Sequence, residues 1–535
     1  MLVAVAISAG IFIGATFFGT SPGTRQLGLS FNKYREVLGI LQNEYVDTID
    51  SEKMTEVAIV EMLARLDPHS SYIPLSDLEI SNASLESDFE GVGIEFLIVA
   101  DTVQVISALQ GGPSDIAGIR AGDRIIVADG GSLVGSLVSN KEVFKKLRGP
   151  KGSVVQVEIV RYGMPRPMTF NIIRSRIPSQ SIEASFILKP GIGYIKVSRF
   201  SDNTYVECSQ QLAALKNQGA KSFILDLRDN PGGYLDRATR LANEFLSENR
   251  LMVYTEGKAK KYNQRYLTNG RGRFQTESLV VLVNEGSASA AEILAGAIQD
   301  NDRGIIVGRR TYGKGLVQVP LSLKDGSELR LTISRYYTPS GRCIQKPYKD
   351  RLDGYEKDLE ERFVNGELFH QDSLPELDTA EYHTQLGRKV FGGGGILPDV
   401  FVPLDSQYTN PFLVALMQRN LFREFAISYV ADHKQELDLM KKRTDARSLN
   451  LHSSAWPEFV QLVDNRRIAW PIRSQKIGTE QFILHLLKAY VARQVWGENG
   501  FYMVISQKDA VLNAALQKLG EAQKLLLASR KSNLP

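Results

Sequence analysis

Cysteine is nearly absent from this chain of 535 residues: Cys208 and Cys343 are its only two. They can form at most one disulfide, and neither sits in a Cys-x-x-Cys pair, which argues against a disulfide scaffold, a zinc site and a thiol nucleophile. Both read as small apolar side chains with unreactive thiols. Histidine is scarce too. Its six copies, at positions 69, 370, 383, 433, 452 and 485, fall in no recognisable catalytic motif. An excess of one charge sign is also missing, since 64 Lys and Arg face 60 Asp and Glu. The net charge of +4 is spread along the chain and argues for no nucleic-acid partner. No low-complexity tract and no short repeat is present. Length alone calls for two to four domains.

What is present begins with an uncharged apolar stretch over residues 2–19, which as a helix would cover about 27 Å, close to a hydrocarbon core. No basic residue precedes it in this sequence, whereas Arg25, Lys33 and Arg35 follow, the reverse of the usual positive-inside pattern for export. Residues 1–22 are expected to be a signal peptide or a membrane anchor, and the lack of a small-x-small cleavage site after Gly19 favours the anchor. Residues 30–66 are expected to be helical, with Val37, Leu38, Leu41, Val57, Ile59, Met62 and Leu63 near helical spacing. The string Leu66-Asp-Pro-His-Ser-Ser-Tyr72 ends it, because Pro68 cannot continue a helix. This N-terminal helical region is set at residues 30–80.

Residues 89–174 form a second unit. Gly91, Val92, Gly93, Ile94, Glu95 and Phe96 open a strand, and residues 103–106 make another. A short helix near 113–117 stops at Gly118, and a helix over 141–147 and a Val-rich strand over 153–160 follow. This ordered set of glycines and apolar strands resembles a PDZ domain. Its Gly91-Val92-Gly93 turn exposes backbone N–H groups that can hold a terminal carboxylate. The strand carrying Ile94 and Phe96 can accept a peptide as an added strand.

From 175 to 345 strand and helix signals alternate, which argues for an α/β layer fold. A strand over 279–283 enters the small-residue turn Asn284-Glu-Gly-Ser-Ala-Ser289, and a helix over 290–298 follows. Ser289 therefore stands at a helix N-terminus, where the Ala290 amide and the helix dipole face developing negative charge. The neighbouring turn, Arg228-Asp-Asn-Pro-Gly-Gly233, offers Gly232 and Gly233, which have no side chain to obstruct a substrate carbonyl. Downstream, Lys314 lies between Gly313 and Gly315. Lysine is ordinarily protonated at neutral pH, with a pKa of about 10.4, and can act as a base only if burial lowers that value. Gln318 can fix the amine without adding a negative charge. In a straight strand Lys314 and Gln318 would share a face about 13 Å apart, so either the chain bends at Gly315 or the side chains converge.

Lys314 follows Ser289 by 25 positions and Gln318 follows Lys314 by four. With that register, the Ser-Ala-Ser order, Glu292 and the run from Gln299-Asp300 to Gly308, the segment resembles the catalytic core of the carboxy-terminal processing peptidases, or tail-specific proteases. The resemblance implies a mixed α/β fold: a crotonase- or Clp-protease-like core over 175–405 with an inserted PDZ domain. It implies Ser289 rather than Ser287 as nucleophile, Lys314 as base, Gln318 as its orienting partner, and Gly233 beside Ala290 in the oxyanion hole. The string around His69 is then a structural join. Arg174, in Arg-Ser-Arg-Ile-Pro178, is implied to couple PDZ position to the Lys314–Gln318 pair. No cofactor or metal is implied. The expected partners are protein substrates with flexible apolar C-termini, and the expected location is the periplasmic side of a bacterial cell envelope. Ala291 departs from the Ser of many relatives. Neither an activating partner nor a homo-oligomeric state can be carried over.

Residues 350–388 read as a charged, irregular surface insertion, Gly392 to Asp399 return to the family pattern, and 410–535 read as a C-terminal helical domain. Three rival readings are weaker. The spacing from Gly308 to Gly313-Lys314 fits a phosphate-binding loop, but Gly315 replaces the Ser or Thr that binds magnesium and a strand follows. A Ser-His-Asp protease lacks a placed histidine. A scaffold with a decayed protease domain sits poorly with an intact Ser289, Lys314 and Gln318.

Overall fold

The computed structural model describes residues 22–82, 86, 88–99, 101–109, 111–135, 138–161, 164–348, 352–373, 380–406, 410–470 and 479–531. The expected anchor over 2–19 lies outside these residues. Among the described residues no helix is long and apolar enough to cross a membrane.

A six-stranded sheet organises the molecule, in the order Ile182–Lys189, Ile192–Val197, Ser222–Asp226, Ser278–Val283, Ile305–Gly308, Val400–Phe401. All pairings are parallel except the first. Parallel strands covered on both faces need apolar side chains on both, and every residue of Ser278–Val283 is buried. Leu279, Val281 and Val283 face one core with Ile195, Leu225 and helices Thr204–Asn217, Leu235–Asn243 and Ala290–Asp300. Val280 and Leu282 face the opposite core with Ile224, Val307 and helix Ala510–Lys531. The final helix, expected within the C-terminal helical domain, is thus the second cover of this sheet. Val511, Leu512, Ala515, Leu519 and Ala522 make that contact.

The remaining C-terminal helices, from Pro411–Gln418 to Thr479–Ile505, share their own core around Phe422, Phe425, Phe459 and Leu487. Gly497, at φ 71°, kinks the last of them.

A second sheet joins Ser71–Ile73, Glu328–Tyr337, Leu251–Gly257 and Gln264–Leu267, with Leu316–Ser322 also paired to Glu328–Tyr337. The PDZ-like unit enters and leaves through a two-stranded stem, Asp88–Gly91 against Ser175–Pro178, which explains how it is inserted without interrupting the main sheet. Its own antiparallel sheet shows period-2 burial, seen best in Val154–Val160, where Val155, Val157 and Ile159 point inward. Strand Ile94–Val99 is one edge of that sheet, and Met168–Ile173 is the other.

Two sequence readings need correction. The continuous helix expected over 30–66 is two helices, Pro22–Glu44 and Ser51–Ala64. Asp50 ends the break by accepting hydrogen bonds from Glu52 N and Lys53 N, an N-cap that starts a new helix. Of the apolar residues cited for it, Leu63 is buried while Val37, Val57 and Met62 are exposed. Residues 350–388 are not an irregular surface insertion either. They include helix Leu352–Val364, whose Arg362 is 3 % exposed. Arg362 donates to the carbonyls of Arg310, Thr311 and Tyr312, because that loop has no sheet partner for them. Glu367 pairs with the buried Arg310 at 2.6 Å.

Candidate active site

Adjacent parallel strands Ser222–Asp226 and Ser278–Val283 end side by side, so the turns that follow them meet at their carboxyl ends. Those turns are stitched together. Asp229 N donates to Asn284 Oδ1 at 2.8 Å, and Ala288 N to Asn230 O at 2.9 Å. Ser287 is fully buried, and its Oγ donates to Leu227 O at 2.7 Å. That engagement removes Ser287 as a rival nucleophile.

Ser289 closes the second turn at φ 52°, ψ −114°, a backbone conformation costly for a residue with a side chain. A Cβ placed on Gly232 would lie 2.7 Å from the Ser289 Cβ and 2.9 Å from Ala290 N, so only glycine fits against the serine. Gly233, at φ 137°, packs on Phe200 so closely that a Cβ would come 2.1 Å from its carbonyl oxygen. Among the described residues neither the Gly233 nor the Ala290 amide has a hydrogen-bond partner.

Glu292, one turn into the helix, is fully buried and holds the serine turn to the lysine loop. Its Oε2 accepts from Ser289 N at 2.8 Å and Lys314 N at 2.9 Å, and its Oε1 from Gly313 N at 2.7 Å and Thr311 Oγ1 at 2.6 Å. Burial pushes its carboxyl up to about 7 against the pull of these four donors. The Tyr336 hydroxyl lies between the carbonyls of Ser289 and Lys314 and makes a second tie. Neither role was read from the sequence, although Ser289-x-x-Glu292 is a capping-box pattern that signals the first.

Burial lowers the Lys314 ammonium below its ordinary value, while Glu292 and Asp67 oppose the fall. The pairing of Leu316–Ser322 with Glu328–Tyr337 shifts register between Val317 and Gln318, which face Ser334 and Thr332 and leave Ile333 as the extra residue of the partner strand. Gln318 Nε2 donates to Thr332 Oγ1 at 3.1 Å. Among the described residues Lys314 Nζ makes no hydrogen bond to Ser289 Oγ or to Gln318. His69 is close enough for the Lys314 charge to act on it, but burial, the larger cause, holds it down at about 4, and its ring meets Tyr355 OH at 2.6 Å.

Among the described residues Arg174 makes no hydrogen bond to Lys314 or Gln318. It is 7 % exposed, and its guanidinium donates to the carbonyls of Lys146, Leu147 and Val154, to Ser153 Oγ and to Asp129, all within the PDZ-like unit. The carbonyls that end helix Asn140–Leu147 take two of its donors.

In the PDZ-like unit, Gly93 turns at φ 70° before the open edge strand. Val92 O is taken by Ser114 N and Oγ, which fixes the turn whose Gly91 begins at the stem. Ile94 and Phe96 lie on the edge strand, and Phe96 meets Phe144 of helix Asn140–Leu147 edge-on at 5.7 Å. No group of three His, Cys, Asp or Glu side chains among the described residues could hold a metal. Cys208 is buried, which pushes its thiol well up and keeps it unreactive.

Residues 191–360 match the model of Peptidase family S41, and residues 412–497 match that of a family of unknown function. The carboxy-terminal-processing protease of Bartonella bacilliformis is 30% identical over 380 residues, covering 67% of this chain and 86% of that protein. The carboxyl-terminal-processing protease of Synechocystis sp. is 36% identical over 314 residues, covering 57% of this chain and 72% of that one. Among solved structures, a photosystem II D1 C-terminal processing protease aligns at 33% identity and a TM-score of 0.35, over 59% of this chain and 84% of that chain. By the family match and the two protease relatives of Bartonella and Synechocystis, the chain belongs to the carboxy-terminal-processing proteases, serine peptidases of family S41.

Proposed function

We propose that the chain is an endopeptidase that captures flexible C-terminal tails and cleaves near them, with Ser289 as nucleophile and Lys314 as general base. Glu292 carries this reading: one buried carboxylate ties the amide of the strained serine to the amide of the lysine loop. The unpartnered amides of Gly233 and Ala290 support an oxyanion hole beside Ser289. In the reaction Ser289 Oγ attacks the scissile carbonyl while Lys314 Nζ takes its proton. Lys314 then returns that proton to the leaving amine, and water releases the acyl group by the same route. Apo catalytic hydrogen bonds are often long and tighten when substrate binds, so an open Ser289–Lys314 contact suits this cycle. Gln318 orients the lysine.

In this reading 89–174 is the PDZ domain and 175–405 the peptidase core, with 30–80 as an N-terminal arm. The helical bundle runs from 410 to 505, and helix Ala510–Lys531 belongs to the core. The edge strand with Ile94 and Phe96 takes the substrate tail as an added strand, and the Gly91-Val92-Gly93 turn takes its carboxylate. The apolar stretch over 2–19 supports attachment to a bacterial envelope, with the peptidase on the periplasmic side, which membrane fractionation checks.

Ser289→Ala and Lys314→Ala should each lower kcat roughly a thousandfold or more on a denatured test protein. Near-wild-type cleavage by the lysine variant would overturn the assignment. Amidating a peptide's C-terminus should weaken its binding by about 1.5–3 kcal/mol. Equal cleavage of amide and free acid excludes tail recognition while leaving the serine chemistry standing.

A further inference from the structure

The string Leu66-Asp-Pro-His-Ser-Ser-Tyr72 contains a buried carboxylate for which the proposed chemistry has no use so far. Asp67 is 5 % exposed. Its Oδ1 accepts from His69 N and Ser70 N at 2.9 Å each, and its Oδ2 from Ser70 Oγ at 2.6 Å. Those three bonds are local and build the turn. A fourth is not local: Thr332 Oγ1 donates to Asp67 Oδ1 at 2.9 Å across 265 residues of sequence. Ser70 Oγ also accepts from Thr332 N at 3.1 Å, so the turn grips this threonine at main chain and side chain.

The direction of each bond follows from what each group can do. An ionised carboxylate can only accept, so the Thr332 hydroxyl must spend its one proton on Asp67. The Thr332 oxygen is then free only to accept, and the group facing it at 3.1 Å is the Gln318 amide. That amide must turn Nε2, not Oε1, towards Thr332, since two acceptors cannot bond. Gln318 Oε1 is left facing away from Thr332, available to accept a proton of the neutral lysine amine. An amine held this way by one N–H keeps its lone pair for the serine proton.

We propose that Asp67 and Thr332 are positioning residues that lock the Gln318 amide in the orientation that serves Lys314. The proposal rests on the reading of Lys314 as base and adds the N-terminal arm to the machinery. The arm supplies Asp67 from the turn before strand Ser71–Ile73, which pairs with Glu328–Tyr337, the strand carrying Thr332. Thr332→Val deletes the hydroxyl with little change in volume and frees the amide to rotate.

The test is steady-state cleavage of a denatured protein by the full chain and its Thr332→Val, Thr332→Ser and Asp67→Asn variants. Thr332→Val should lower kcat about tenfold, the size of one lost hydrogen bond, with KM unchanged and a modest fall in melting temperature that leaves the chain folded at the assay temperature. Thr332→Ser should restore the rate, and Gln318→Ala combined with Thr332→Val should be no worse than Gln318→Ala alone. If Asp67→Asn does not fold, the two threonine variants still separate the outcomes. Wild-type kcat in Thr332→Val, or additive losses in the double variant, overturns the relay. Lys314→Ala distinguishes the two levels: if it stays active the reading of the base fails, whereas an inactive Lys314→Ala beside a fully active Thr332→Val removes the relay alone.

Discussion

The Lys314 ammonium sits near Glu292, Asp67 and Arg330, and burial lowers its pKa from the ordinary 10.5. A lysine with a lowered folded value favours the native state only where it is neutral. Its contribution is present above the unfolded value and is lost as pH falls through the folded one. Lys314→Met should therefore be more stable than wild type at pH 7, with the gap closing as pH rises towards 10.5. Thermal melts of both proteins across that range check this, and a gap independent of pH would contradict it. Cleavage by the wild type should fall on the acid side as the same group protonates. Gly233→Ala should lose both stability and activity, because its φ of 137° and the adjacent Phe200 carbonyl leave no place for a methyl group. Urea denaturation and kcat measured on the same preparation test both losses.

Helix Leu352–Val364 acts on the lysine loop through Arg362 and through Tyr355, whose ring meets that of Tyr312 edge-on at 6.0 Å. Arg362 satisfies the carbonyls of Arg310, Thr311 and Tyr312, and its removal strands buried acceptors. Arg362→Ala should cost about 2–4 kcal/mol and speed amide exchange over residues 310–315, read by hydrogen–deuterium exchange. Unaltered exchange there would show that the loop holds itself. The final helix, Ala510–Lys531, matters to the sheet in the same way. Leu512 is 1 % exposed among Val280, Leu282 and Val307, so Leu512→Ala should destabilise the peptidase core by about 2–5 kcal/mol in urea.

At the scale of the whole molecule, the PDZ-like unit touches the helical bundle through its edge strand. Glu95, between Ile94 and Phe96, pairs with Arg423 and Arg493 at 3.0 Å each, and Arg493 is held in turn by Glu498. Glu95 is partly exposed, so the pairs add little to global stability and mainly orient one unit on the other. Glu95→Ala should leave the melting temperature nearly unchanged and widen the distance distribution in small-angle scattering. An unchanged scattering profile would mean that apolar contacts, such as Ile427 against Gly122, are enough to fix the orientation.

Local pattern was sufficient for the alternation of strands and helices after residue 175, and for the strand expected over 279–283 and the helix expected over 290–298, which run Ser278–Val283 and Ala290–Asp300. Strand period, helix period and turn glycines act over a few residues, and the sequence displays them directly. Asp50 was equally local, an N-cap signal inside a stretch read as one helix. Other features had no local signature. The Arg362 guanidinium resembles any surface charge until the loop at 310–312 lies beneath it, and Arg174 resembles a linker charge until a helix end covers it. The last helix displays an apolar face, but nothing in its residues says whether a bundle or a sheet will cover that face. Asp67 and Thr332 are separated by 265 residues, and the bond between them exists only because two strands pair. The sequence by itself determined which groups could do chemistry and which segments form strands and helices, because those depend on side-chain type and short-range periodicity. Only the tertiary structure decided the partners, because burial and hydrogen-bond direction arise when distant segments share the same space.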